Sequence, residues 1–368
     1  MSTTTPDALR AARDAPAVQL LDETGQRHPS PAYDPFVADL EPAALRDLYR
    51  DLVVVRRLDA EATALQRQGE LALWPPLLGQ EAAQVGSGRA LRADDFVFSS
   101  YREHAVAYTR GVTPTDLVRV WRGITLSGWD PTAVGMATPQ VIIGAQTLHA
   151  TGYAMGIRAD GSDAVAVAYF GDGATSEGDV AEAMVFAASF RAPVLFFCQN
   201  NQWAISEPVR VQSTGVLADR AGGFGIPAIR VDGNDVVAVL AATRSALARI
   251  RAGEGPMFIE AVTYRMGPHT TADDPTRYRD AADLDVWRER DPIERLARHL
   301  RGRGALDDDT EGAVRAEADR AAAELRAGCL ALADPEPLSI FDHVYAGPHR
   351  DLDRQRDDYA AYLRGFDA

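Results

Sequence analysis

Two short polar groups stand where apolar runs end. The run 165–170 leads into Gly171-Asp172-Gly173, and the run 194–198 leads into Gln199-Asn200-Asn201. An Asp and an Asn at neighbouring strand ends supply hard oxygen ligands without completing a shell. That suits Mg2+, which takes octahedral oxygen coordination and shares its ligands with a phosphate. The glycines let main-chain N–H groups approach that phosphate at the N-terminus of a helix starting near Gly178, where the dipole favours an anion. Taken alone, Gly-Asp-Gly reads as a tight turn, since both residue types are favoured where φ turns positive. Ser176 with Asp179 resembles a capping pair compatible with either reading. The intervening residues, 174–199, have the length of one helix and one strand, so the chain returns to the same sheet edge. This spacing shifts the reading from a turn to a metal–phosphate site. His269 follows a further apolar run, in a loop of Thr, Asp and Arg.

These groups need a parallel sheet to bring them together. Strands are expected at 96–99, 164–170, 194–198, 228–231 and 257–264. They are near-continuous apolar runs, as in a sheet covered on both faces. Helices are expected at 178–190 and 236–252 between them, and at 42–68, 80–91 and 113–122 before them, where apolar residues recur at three and four. The small and apolar segment 141–157 suits a buried helix, which would make Ile143 a core residue. The fold class is therefore α/β, an open, mainly parallel sheet with helices on both faces. Ligands of such sheets bind outside the carboxyl ends of the strands. The exits at Gly171, Asn200 and Gly267 share one edge if their strands are neighbours. Residues 1–40 read as a loosely packed arm, 41–282 as the α/β domain, and 283–368 as a helical C-terminal region with a tail of exposed aromatics.

Composition narrows the partners. A net charge of -15 argues against a nucleic-acid or anionic-membrane surface. Every one of the 38 basic residues is Arg, which excludes a Gly-Lys-Ser/Thr phosphate loop and a lysine Schiff base. Gly171, Gly173 and Gly178 miss the G-x-G-x-x-G spacing of a dinucleotide loop. Two cysteines give neither a disulfide framework nor a metal cluster. The N-terminus does not resemble a signal peptide, and no apolar run approaches the roughly 20 residues that span a bilayer. A cytoplasmic protein is expected.

The order and wording of the motifs carry a resemblance. LGQEAAQVG (78–86), YREH (101–104), IIGAQ (142–146), GDGATSEGD (171–179), QNNQWAIS (199–206), RVDGND (230–235) and GPHTTADDPTRYR (267–279) together resemble the E1 α subunits of thiamine-diphosphate-dependent 2-oxo acid dehydrogenase complexes. The resemblance covers roughly 45–350 and implies the diphosphate-binding half of the thiamine diphosphate fold.

It further implies that Mg2+ is held by Asp172, Asn201 and the main-chain oxygen of Trp203, where relatives usually carry Tyr. Tyr101 and Arg102 would contact the diphosphate, an Arg fork matching phosphate oxygens, and Gly173 and Ala174 would donate main-chain N–H groups. Ile143, with Val141 beside it, would hold the aminopyrimidine. His269 would be the catalytic residue, handling the intermediate or its transfer to the lipoyl group of the E2 acyltransferase, under a loop at 270–279 that orders over bound cofactor. Leu73, Trp74 and Tyr101 would line the substrate pocket. Only one cofactor half is legible, which implies an α2β2 heterotetramer with an E1 β subunit supplying the other. The wording of NNQWAIS and RVDGNDV points to a branched-chain 2-oxo acid of the 3-methyl-2-oxobutanoate type. Pyruvate is the alternative, acetoin a more distant one, and a non-enzymatic scaffold would lack Asp172, Asn201 or His269.

Overall fold

The structure, a computed structural model, describes residues 16–366. Its strands are β1 (Phe96–Phe98), β2 (Ala166–Gly171), β3 (Val194–Asn200), β4 (Trp203–Ala204), β5 (Glu207–Pro208), β6 (Ala228–Asp232) and β7 (Met257–Val262). Five of them form one sheet in the order β1-β2-β3-β7-β6, with every neighbouring pair parallel. The pair β4–β5 is a small separate hairpin. Register sets the strand ends level: Gly171 lies opposite Gln199, and Asn200 opposite Val262. The polar exits of β2, β3 and β7 therefore share one edge, as the spacing requires.

Both faces of the sheet are covered because successive side chains point to opposite sides. Val167, Tyr169, Leu195, Phe197 and Ile259 join one core with the helices Pro42–Arg67, Glu81–Gly88 and Val236–Arg249. Ala166, Ala168, Phe196, Cys198 and Phe258 join the other with the helices Ala145–Ala159 and Gly178–Phe190. The long helix Asp308–Ala331 lies along Pro42–Arg67 and buries Val314, Leu325 and Cys329 in the first core. No helix among the described residues is long and apolar enough to cross a membrane.

Three expectations change. The segment 141–157 does not start as a buried helix: the helix begins at Ala145, after Gly144 at φ 88. Val141, Ile142 and Ile143 remain outside it, 63%, 68% and 39% exposed. Ile143 is thus not core. The described part of the arm is not loose either. Val18 bridges to Val231 beside β6, and Leu20 and Leu21 are fully buried. Residues 1–15 lie outside the described residues. In the tail Tyr345 is exposed as expected, but Phe341 is half-buried, its ring against that of Tyr359. The helix Arg350–Arg364 that follows has no buried residue.

Candidate active site

Asp172 leaves β2 in a short 3-10 turn, Asp172–Ser176. Neither Gly171 nor Gly173 has a positive φ, so the glycines do not serve a left-handed turn. Gly173 answers to space instead: a Cβ there would lie 2.7 Å from that of Ala204. The expected capping pair does not form. Glu177 is the N-cap, without a side-chain cap, and the Ser176 hydroxyl donates to Gln212. The amides at the start of Gly178–Phe190 are left for another acceptor.

The Asp172 carboxylate is 1% exposed, and neither oxygen has a hydrogen-bond partner of good geometry. Burial pushes its pKa up to about 7, with the amides of Asp172 and Asn201 and the Arg265 charge pulling the other way. A buried carboxylate without partners is costly. A cation beside it removes that cost. Asn201 stands next to it, and its Oδ1 accepts from the Trp203 N–H at 3.2 Å. The turn that presents the Trp203 carbonyl is strained, with Gln202 at φ 70 and Ile205 at φ 54, a region that a β-branched residue rarely adopts. Fully buried Arg265 holds it, donating to the oxygens of Ile205 at 2.7 Å and Trp203 at 3.4 Å and to the Tyr278 hydroxyl at 2.8 Å. Among the described residues no group of three or more His, Cys, Asp or Glu could hold a metal unaided. One carboxylate, one carboxamide and one carbonyl are an incomplete oxygen set, the kind that Mg2+ completes with phosphate and water.

Asn201 and Trp203 border a cavity of about 430 Å3, as do Gly171 and Gly173 on either side of Asp172, which itself lies outside the lining. Leu73, Tyr101, Arg102, Val141, Ile143, Gly173, Ala174, Asn201, Trp203 and His269 all line it. Trp74 does not. It is buried behind Leu73, stacked on His104 at 4.0 Å, with its indole N–H donating to Asp59 at 2.8 Å. It supports the pocket loop and is no part of the substrate surface. A larger hollow of about 630 Å3 lies beyond Trp203, next to Arg230, Glu260 and Trp287, and contains neither Asp172 nor His269.

Arg102 and His269 meet at the cavity wall. One terminal nitrogen of Arg102 donates to the Pro76 oxygen at 2.6 Å, the other to the His269 oxygen at 2.8 Å. Burial and the nearby charges of Arg102 and Arg265 lower the His269 pKa to about 4, so its imidazole is neutral at physiological pH. The loop after it is pinned: the His269 N–H donates to Asp273 at 2.7 Å, and Arg279 clasps the oxygens of Arg265, Met266 and Gly267.

Sequence reasoning missed Gln80, Glu103 and Gln199 in the same wall. Gln199 donates to Glu103 at 2.7 Å and accepts from Gln84 at 3.0 Å. Burial raises the Glu103 pKa to about 7, against the pull of Arg102. Polar residues spaced like these in a helix and a strand, Gln80 and Gln84 opposite Gln199 and Asn201, were the available signal.

The family described as dehydrogenase E1 component matches residues 49–327. The chain is 46% identical over 363 residues to the 3-methyl-2-oxobutanoate dehydrogenase subunit alpha of Mycobacterium tuberculosis (strain CDC 1551 / Oshkosh), covering 98% of both chains. It is 40% identical over 362 residues to a pyruvate dehydrogenase E1 component subunit alpha of Staphylococcus aureus (strain Mu50 / ATCC 700699), covering 96% of each. To the corresponding subunit of Staphylococcus epidermidis (strain ATCC 12228 / FDA PCI 1200) it is 39% identical over 347 residues, covering 93% of this chain and 92% of the relative.

Proposed function

The chain belongs to the dehydrogenase E1 component family, as the α subunit of a 2-oxo acid dehydrogenase, and from that premise we propose that its cavity takes thiamine diphosphate with Mg2+ to decarboxylate a branched-chain 2-oxo acid. One observation carries the cofactor reading: the buried Asp172 carboxylate has no hydrogen-bond partner, and its neighbours Gly171, Gly173 and Asn201 line the cavity. Asp172, Asn201 and the Trp203 carbonyl would hold the metal. Arg102 and the main-chain N–H groups of Gly173 and Ala174 would hold the diphosphate, next to the open N-terminus of Gly178–Phe190. Val141 and Ile143 would support the aminopyrimidine end from the cavity lip. When bound, the cofactor supplies a nucleophilic carbon and an electron sink for loss of CO2.

The residues of the chain then do three things. Tyr101, whose ring meets that of His269 edge-on at 6.0 Å, and Leu73 shape the space next to His269. Neutral His269 presents an N–H to an oxygen of the reacting acid and serves acyl transfer to a lipoyl group of an E2 acyltransferase. Leu73, Trp121, Val141 and Ile205 give the cavity an apolar lining that suits a branched apolar side chain. The substrate reading leans on that lining and on 46% identity to the branched-chain relative, against 40% to a pyruvate one.

An E1 β subunit completes the site in an α2β2 assembly. Val141 and Ile142 are strongly exposed apolar residues at the lip, a surface that a partner wall would cover. The α chain co-expressed with its β partner should decarboxylate 3-methyl-2-oxobutanoate with higher kcat/KM than pyruvate. A large preference for pyruvate would transfer the assignment to that acid. Activity from the α chain alone would refute the two-chain site.

A further inference from the structure

The motif LGQEAAQ places two glutamines one helical turn apart, and each faces a residue at the exit of β3. Gln84 donates to Gln199 at 3.0 Å, and Gln80 accepts from Asn201 at 3.0 Å. Residues i and i+4 share a helix face, and residues i and i+2 share a strand face, so the two pairs form rungs between the helix Glu81–Gly88 and β3.

The turn bearing Gln80 is fixed on several sides. The Gln80 N–H donates to Leu77, the Gly79 oxygen accepts from the Thr263 hydroxyl, and the Leu78 oxygen accepts from the Met266 N–H. Gly79 sits at φ 95, with a Cβ excluded by the Tyr264 oxygen at 2.2 Å. The orientation of both carboxamides follows from a donor that cannot turn. The Trp203 main-chain N–H needs an acceptor and takes Asn201 Oδ1. Asn201 Nδ2 therefore faces Gln80, and Gln80 must answer with Oε1. What remains is Gln80 Nε2, an N–H donor on a 1%-exposed side chain, with no hydrogen-bond partner, in the wall of the cavity.

We propose that Gln80 has two roles in the cofactor site: its Oε1 fixes the Asn201 carboxamide with Oδ1 available to the metal, and its Nε2–H binds a phosphate oxygen. The proposal rests on the cofactor reading above. A buried donor without a partner is costly, and an anionic acceptor meets it with a charge-assisted bond.

The two roles separate by substitution in the co-purified αβ protein, with intrinsic tryptophan fluorescence as the readout and Mg2+ with inorganic diphosphate as the probe. Gln80→Glu keeps an acceptor for Asn201 and loses the donor. Gln80→Met loses both. Gln80→Glu should weaken diphosphate at saturating Mg2+ by about tenfold or more, the size of one charge-assisted bond, while needing no more Mg2+ for half-saturation than the parent. Gln80→Met should weaken diphosphate similarly and raise the Mg2+ requirement as well. Parent-like binding by Gln80→Glu overturns the donor role, even if Gln80→Met does not fold. An equal rise in Mg2+ requirement for both variants overturns the Asn201 role. Absence of Mg2+-dependent diphosphate binding in the parent protein itself would instead overturn the cofactor reading, and this inference with it.

Discussion

Arg102 lies with one guanidinium nitrogen 3.3 Å from Nδ1 of His269 and 2.8 Å from its main-chain oxygen. Arginine can only donate, so Nδ1 accepts and the proton of the neutral ring sits on Nε2. The same guanidinium, bonded to the Pro76 oxygen, joins the loop before the helix Glu81–Gly88 to the loop after β7. An 15N spectrum of the histidine-labelled αβ protein at pH 6 should show His269 as the neutral Nε2–H tautomer, identified by its loss in His269→Asn. A protonated ring at that pH would contradict the burial and charge argument. Arg102→Lys keeps the charge and loses the fork, and it should weaken cofactor binding about tenfold or more. Calorimetric titration with thiamine diphosphate checks this.

Asp172→Ala separates the metal reading from a structural one by opposite signs. Removing a buried carboxylate that lacks partners should leave the thermal midpoint of the cofactor-free protein unchanged or raise it by a few degrees. The same change should abolish the stabilisation that Mg2+ and thiamine diphosphate confer on the parent. A clear drop in the cofactor-free midpoint, with the cofactor shift intact, would make Asp172 a residue of the turn only.

Asp59 tests the electrostatics of the pocket support. It is buried, accepts from the Trp74 indole at 2.8 Å and the Leu77 N–H at 3.0 Å, and its pKa rises to about 6 through desolvation. Glu81 pushes it up further and Arg102 pulls it down. With the folded value above the unfolded one, its stabilising contribution is complete below about pH 4. It is lost as pH rises through about 6, on the order of 3 kcal/mol in all. His104 and His269, lowered to about 3 and about 4, act oppositely, losing stability as pH falls. Asp59→Asn keeps the acceptor and removes only the carboxylate term. The midpoint difference, variant minus parent, should therefore grow between pH 4 and pH 7. A difference that stays flat would show that Asp59 ionises freely.

The arm shows where sequence reading stops. β2, β3 and β7 were legible because long apolar runs and a fixed crossover length leave few topologies open. Asp172 and Asn201 stand out in the sequence because they sit at the ends of β2 and β3, whereas His269 lies seven residues past Val262, the end of β7, and only the GPHTTADDPTRYR motif singles it out. Val18 to Leu21 carry no period, and what orders them is distant. Asp235 Oδ2 accepts the N–H groups of Leu20 at 2.7 Å and Leu21 at 2.6 Å, while Oδ1 caps Val237 and Ala238. Trp74 was misplaced for the same reason, since its partners Asp59 and His104 lie on two other helices. The RVDGND motif is thus a clamp: Asp232 pairs with Arg295 at 2.7 Å, and Asn234 bonds Thr263 and Arg290.

That clamp gives its own prediction. Asp235→Ala leaves four N–H groups without their acceptor and frees a segment whose two leucines are fully buried. Each lost bond to a charged acceptor costs about 1.5–3 kcal/mol. The thermal midpoint should fall by many degrees, and limited proteolysis should cut near residue 20 before the sheet opens. A variant as stable as the parent would mean that the leucines hold the segment without the carboxylate.

The helices Ala145–Ala159 and Gly178–Phe190 both start at the cavity, where Ile143 and Glu177 line it, and pack side by side. Away from the sheet they expose Val185, Phe186 and Phe190, with Phe186 stacked parallel on Phe190 at 6.1 Å, while the half-exposed Tyr153 ring packs on Phe96 of β1 at 4.6 Å. Such an apolar surface, together with the exposed lip at Val141 and Ile142, is where an E1 β subunit would dock. Phe186→Glu with Phe190→Glu should leave the α chain folded, since neither ring is buried. Light scattering on the co-expressed pair should then report α and β separately, with cofactor binding weakened, where the parent should give an α2β2 mass. If the double variant still assembles as α2β2, the β chain docks elsewhere and this face serves another contact.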